Sequence, residues 1–143
     1  MNISTSEKVL LITDQRLAHI QERLVAEILS CSPAQLWTYT LPDAERPFLE
    51  YPPLLHQVAA QADAVIVFYS HLQPEETPGR LACWRTCRGN RTRVGFGPQI
   101  EDSILQNELS ADYQAIATIT RRLKRHLEGK EQVSITTPLG TDL

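Results

Sequence analysis

The sequence predicts an α/β fold: a single Rossmann-like three-layer domain spanning residues 1–143, with a mainly parallel sheet. Three observations predict it. Short continuous apolar runs at 8–13 and 64–69 have the character of strands buried on both faces. Stripes of apolar residues spaced three or four apart, as on helices, alternate with those runs. The resulting order, β-α-β-α-β-α-β-α-α-β, is that of a doubly wound sheet with helices on both faces. A chain of 143 residues, 42% hydrophobic and 22% charged, suffices for one domain with a sizeable core.

The elements follow in order. Val9, Leu10, Leu11 and Ile12 make the first strand, and Asp14 is placed to cap a helix striped by Leu17, Ile20, Leu24 and Ile28. Pro33 ends that helix. Residues 36–41 alternate large apolar side chains with threonine, which suits a second strand. A loop rich in proline and charge leads to Pro52 and Pro53, which fit the first turn of a helix carrying Leu55, Val58, Ala59 and Ala62. The run 64–69 is the third strand. Thr77 and Pro78 then cap and open a third helix, which Gly89 and Asn90 break before a short strand at 92–96.

Ile100, Ile104 and Leu105 suggest a short helix, and Tyr113, Ile116, Thr120, Leu123 and Leu127 a longer one. Arg121, Arg122, Lys124, Arg125 and His126 complement the negative end of its dipole, and Gly129 supplies the stop. Residues 132–137 read as a closing strand. It runs into a turn, as if a second domain were to follow.

Charge and cysteine usage narrow the function. The net charge of −3 gives no global reason to expect nucleic acid. No apolar run approaches the roughly 20 residues that span a bilayer, and the polar start has no signal-peptide character. Neither a nucleic-acid nor a membrane partner is therefore expected. Three cysteines are an odd number for a disulfide framework, so reduced thiols in a cytoplasmic protein are the expectation.

Few residue patterns point to catalysis. The first turn, Thr13-Asp14-Gln15, lacks glycine, and no serine sits in a GxSxG context, so no nucleotide cofactor is expected. Cys83 and Cys87 lie four apart on one helix face. Two thiolates are half a zinc site, but no CxxC or HxxxH flanks them, and buried packing is the commoner role. No metal is expected. Cys31, near a helix end, reads as packing.

Among four scattered histidines, His71 follows the third strand at its carboxyl end, where open α/β sheets place ligands. Ser70 and His71, with Glu75 and Glu76 close by, have the residue types for acid–base work. As neighbours on a strand end, however, they point apart, and an exposed polar loop is the expectation.

Charge is uneven along the chain. Nine basic residues against four acidic ones lie between Arg80 and Arg125, whereas six acidic residues and one arginine lie between Asp43 and Glu76. Arginines suit bidentate pairing with carboxylates or phosphates, and Trp84 among them adds a stacking surface. Solvated helix faces are the common outcome of such runs. The functional reading is a basic surface for an acidic peptide or a partner protein.

A series of segments then suggests a family: Val9-Leu-Leu-Ile-Thr-Asp14, Glu50-Tyr51-Pro52-Pro53, Ala62-Asp63-Ala64-Val65-Ile66, Ser70-His71 with Thr77 and Arg80, and Gly95 to Asp102. Together with the closing Ile135-Thr-Thr-Pro-Leu-Gly-Thr-Asp-Leu143, the chain resembles the N-terminal domain of the aminopeptidase T-like (leucyl aminopeptidase) metallopeptidases nearly end to end. The closing stretch is similar to that family's junction with its catalytic domain. The resemblance implies that the two-metal site and its ligands belong to that catalytic domain, so no metal ligand carries over to any position here. The loop after Ser70 is stretched relative to the family pattern, so no gating role carries over either.

The expectation is a non-catalytic, homodimeric peptide-binding protein, derived from a truncated hydrolase fold, that presents a peptide to a partner enzyme. A precursor in ribosomal peptide natural-product biosynthesis is one such peptide. The expected contacts are Arg80, Trp84, Arg85 and Arg88, with Gln132, Ser134 and Thr136 on the terminal strand pairing with a peptide or a second copy. The alternative is the non-catalytic subunit of a split metallopeptidase-like hydrolase. A free-standing enzyme using His71 or Cys83 is a third reading.

Overall fold

The computed structural model describes residues 3–101, 103–104 and 111–140. The chain forms two compact units, Met1–Leu105 and Gln106–Leu143. In the first unit, β1 (Lys8–Asp14), β2 (Gln35–Leu41), β3 (Ala64–Phe68) and β4 (Arg93–Gly97) build one sheet in the order β2-β1-β3-β4. Every pairing is parallel. The connection from β2 to β3 crosses β1, so the chain reverses its winding between β1 and β3. At their carboxyl ends Asp14 pairs with Leu41, and Thr13 with Leu41's neighbour Thr40 and with Phe68.

Period-two alternation sorts the strand side chains into two cores. On one face Val9, Leu11 and Ala64 meet Ile20, Leu24 and Ile28 of α1 (Ala18–Ser30). On the other, Leu10, Ile12, Val65 and Val67 meet Leu55 and Ala59 of α2 (Pro53–Gln61) and Cys83 and Cys87 of α3 (Thr77–Gly89). The result is the expected three-layer α/β arrangement. β1 is buried at every position after Lys8, which explains its unbroken apolar run.

The loop after β2 joins the second core through Phe48 and Tyr51. It also fixes how α3 approaches. A Cβ added at Gly79 would lie 2.7 Å from the Phe48 carbonyl oxygen and 3.0 Å from that of Leu49. Both are backbone atoms, so only glycine lets the helix sit at this distance.

Two local expectations change. Asp14 makes no side-chain cap to the turn that follows it. The first turn of α3 is preceded by a short 3-10 turn, Pro74–Glu76, in which Gln73 and Glu76 form a reciprocal capping box.

In the second unit, α4 (Tyr113–Leu127) starts at Asp112, whose carboxylate accepts from Gln114 N and Ala115 N, each at 3.0 Å. Gly129, at φ +74°, provides the left-handed stop. The expected strand at 132–137 does not form: Thr136 makes an isolated bridge, and Val133 and Ile135 stay about half exposed. Its alternation alone does not hold a strand without continuous pairing to a neighbour. The short helix expected at 100–105 falls partly outside the described residues. Among the described residues no helix is long and apolar enough to cross a membrane.

Gly79→Ala should therefore lower stability by about 1–3 kcal/mol, the usual cost of overpacking against atoms that cannot yield. A urea midpoint unchanged from the parent would show that the Phe48–Leu49 segment gives way freely.

Candidate functional site

At the carboxyl ends of β1 and β3 the sheet carries a buried polar cluster. Asp14 ends β1 with no exposed surface, so its charge needs partners within the protein. Its Oδ2 accepts from Ser70 N at 2.8 Å, Ser70 Oγ at 2.8 Å and Arg46 Nη2 at 3.0 Å. The Arg46 side chain, 4% exposed, comes from the loop after β2 and stacks near the rings of Phe48 and Tyr69.

The same guanidinium reaches His71. Arg46 Nη1 lies 2.8 Å from Nε2, 3.1 Å from Nδ1 and 3.2 Å from the His71 carbonyl oxygen. Since the Ser70 hydroxyl proton goes to Asp14 and arginine only donates, the tautomer that fits these contacts carries the imidazole proton on Nδ1 and accepts at Nε2. Nδ1 then donates to Ser70 Oγ at 3.0 Å, and Ser70 donates to Asp14. The ring is closed by two arms that both start at Arg46 and end on Asp14, one direct and one through His71 and Ser70.

This direction matters for chemistry. A serine nucleophile gives its proton to a base, and the imidazole needs a vacant acceptor nitrogen to take it. In that tautomer the hydroxyl proton points to a carboxylate and the acceptor nitrogen holds Arg46. The arrangement therefore acts as a clasp across the switch point, tying β1, the β2–α2 loop and the end of β3 together.

Ser70 and His71 thus depart from the exposed, divergent pair that the sequence predicts. β3 ends at Phe68, so strand alternation no longer governs the two residues, and both are half-buried. Glu76, 2% exposed, closes the far side. It accepts from Phe48 N at 3.3 Å and lies 3.6 Å from Arg46 Nε and 3.7 Å from Arg80 Nη1.

Beside the clasp, between α3 and the sheet, lies a cavity of about 360 Å³. Val65, Val67 and Val94 line its sheet side, and Leu81 and Trp84 its helix side. Tyr51 and Tyr69 touch hydroxyl to hydroxyl at one wall. Burial pushes the Tyr51 phenol up to about 12, against a smaller opposing effect of its bond to Tyr69. Burial, reinforced by Tyr51, pushes Tyr69 up further.

Cys83 and Cys87 line the cavity too, both free and buried. The neighbouring Cys87 thiol, with burial, raises Cys83, whereas the interaction with Cys83 lowers Cys87.

The predicted contact residues separate. Arg80 and Trp84 line the cavity; Arg80 is fastened by Nη1 to Gln73 O at 3.2 Å and by Nη2 to Thr77 Oγ1 at 2.9 Å. Arg85 and Arg88 are exposed on α3 and do not line it. Gln132, Ser134 and Thr136 belong to the second unit and are exposed; the strand that was to present them is not formed. Sequence reasoning missed Arg46, Tyr51 and Tyr69. Among the described residues, no three His, Cys, Asp or Glu side chains are grouped to hold a metal ion.

Comparison with family models, curated proteins and solved structures found no match.

Replacing Arg46 by Met strands Asp14 and should cost about 3–5 kcal/mol, as should Asp14→Leu, which strands the guanidinium. The double replacement should cost less than the sum of the two, read by denaturant titration; strict additivity would mean that the pair is not coupled.

A second expectation concerns alkali. Because the folded Tyr51 holds its proton to about 12 against an ordinary 10.0, its contribution to stability is full below pH 10 and is lost as pH rises towards 12. Tyr51→Phe should make the stability–pH profile flatter over that interval. A profile identical to the parent would contradict the assignment.

Proposed function

We propose that this protein is a non-catalytic peptide-binding module that holds an acidic peptide, anchored by an apolar side chain, for a partner enzyme to act on. The observation that carries this reading is the cavity of about 360 Å³ beside β4, the outermost strand in the described sheet order. Val94 and Phe96, two residues apart on β4, both line it. An extended peptide laid along this strand would turn alternate side chains towards the same face.

The lining supports an apolar anchor. Trp84 is 54% exposed and Phe96 49%, which leaves two aromatic surfaces available to a ligand. Arg85 and Arg88 place positive charge on the helix that carries Trp84, which favours an acidic peptide.

The test uses the purified full chain as bait against a library of peptides varied in acidic and aromatic content, read by native mass spectrometry. Acidic peptides with a large apolar residue should be retained. Trp84→Ala should weaken binding by about tenfold or more. Arg85→Glu with Arg88→Glu should slow association and weaken it further at low salt. Retention indifferent to Trp84 would sink the cavity as the anchor. Recovery from cell extract of a chain carrying a metallopeptidase catalytic domain, with activity only in the complex, would replace this reading by the split-hydrolase one. The same spectra read whether the chain is a homodimer.

A further inference from the structure

The cavity wall also carries a thiol pair that peptide holding leaves unused. Cys83 and Cys87 stand one turn apart on α3, with exposures of 5% and 1%, and both face the cavity. The two thiols are hydrogen-bonded to each other, which raises Cys83 and lowers Cys87.

Their spacing argues against a disulfide. Side chains four apart on a helix keep their Cβ atoms about 5–6 Å apart, whereas a disulfide needs about 3.5–4.5 Å. α3 runs unbroken from Thr77 to Gly89, so closing the bond would require unwinding it. A single ion held between two sulfurs spans a wider gap than a sulfur–sulfur bond.

The surroundings select the ion. Zinc sites take four ligands, and no third His, Cys, Asp or Glu is grouped with the pair among the described residues. Calcium and magnesium require oxygen donors, which these thiols do not provide. A soft, singly charged ion content with two thiolates remains, and thiolates select copper(I) among the biological metals.

We propose that Cys83 and Cys87 form a two-coordinate site for a soft monovalent cation, copper(I) in particular. Binding proceeds as Cu⁺ plus two thiols to a bis-thiolate complex and two protons, with no change of oxidation state. The complex bears one negative charge. Arg80 lines the same cavity with its guanidinium already held by Gln73, Thr77 and Glu76, and it does not ligate the ion. Aliphatic and aromatic walls keep competing hard ligands and bulk water from the sulfurs. The proposal is independent of the peptide reading, because it concerns the thiol wall rather than the exposed aromatics.

The experiment is an anaerobic titration of the full chain with copper(I) in competition with a chromophoric chelator, all variants carrying Cys31→Ser to remove the exposed thiol. One equivalent should bind, with the ultraviolet band of thiolate-to-copper charge transfer, and proton release should rise as pH falls. Cys83→Ser and Cys87→Ser should each abolish the band. Cys83→Ala and Cys87→Ala repeat the test where the hydroxyl would disturb packing, and circular dichroism checks that each variant is folded. Silver(I) should bind in the same ratio. Retention of affinity by folded variants lacking either cysteine, or no binding by the parent, overturns the site.

Discussion

The ion pair between Asp14 and Arg46 is the constraint on which the rest of the first unit depends. A parallel sheet buried on both faces ends β1 on a carboxylate that has no water to face. Desolvating that charge costs more than a simple hydrogen bond returns, so a cation must be brought to it. Arg46 arrives from the loop after β2, and with it the segment that carries Phe48 and Tyr51 into the core. Ser70 satisfies the same oxygen from the end of β3 through both its amide and its hydroxyl. One carboxylate thereby fixes three connections at the switch point. The desolvation cost of such a pair offsets much of its attraction, so its net contribution to stability is smaller than the cost of breaking it.

The cavity inherits its shape from this arrangement. Tyr51 is delivered by the clasped loop and meets Tyr69 immediately after β3, which sets one wall. Gly79 permits α3 to approach the Phe48–Leu49 backbone and so places Cys83 and Cys87 one and two turns further along the same face. Glu76 joins the two features, because it lies between Arg46 and Arg80 and holds the Phe48 amide. Loosening the clasp would therefore move the cavity wall as well as expose a charge.

Much of the fold was legible because it is written in local patterns. The four strands and the helices beginning near residues 18, 53, 77 and 113 follow from runs, stripes and proline positions. The clasp is not local. Asp14 pairs with Arg46 across 32 positions and with Ser70 across 56, and nothing in the spacing of those residues announces it. Asp14 looked like a cap because it follows a strand and precedes a helix, yet its burial commits the carboxylate to the other side. The terminal strand failed for a related reason: alternation at Val133 and Ile135 is a local pattern, while a strand requires a partner. The arginines of α3 were grouped by composition, whereas the structure separates Arg80, on the cavity wall, from Arg85 and Arg88 outside it.

That separation bears on the proposed peptide site. A ligand carboxylate approaching Arg80 competes with Gln73 O, Thr77 Oγ1 and Glu76, all already on that guanidinium. The exchange replaces one set of contacts by another and gains little. Arg85 and Arg88 are exposed, and charges in that setting mainly accelerate encounter and add salt dependence. Removing apolar surface from water carries no such competition, at about 25 cal/mol per Å². Under the proposed peptide-holding role, a side chain entering between Trp84 and the valines of β3 and β4 would therefore set how tightly a peptide is held, and Arg85 and Arg88 would set which peptides arrive.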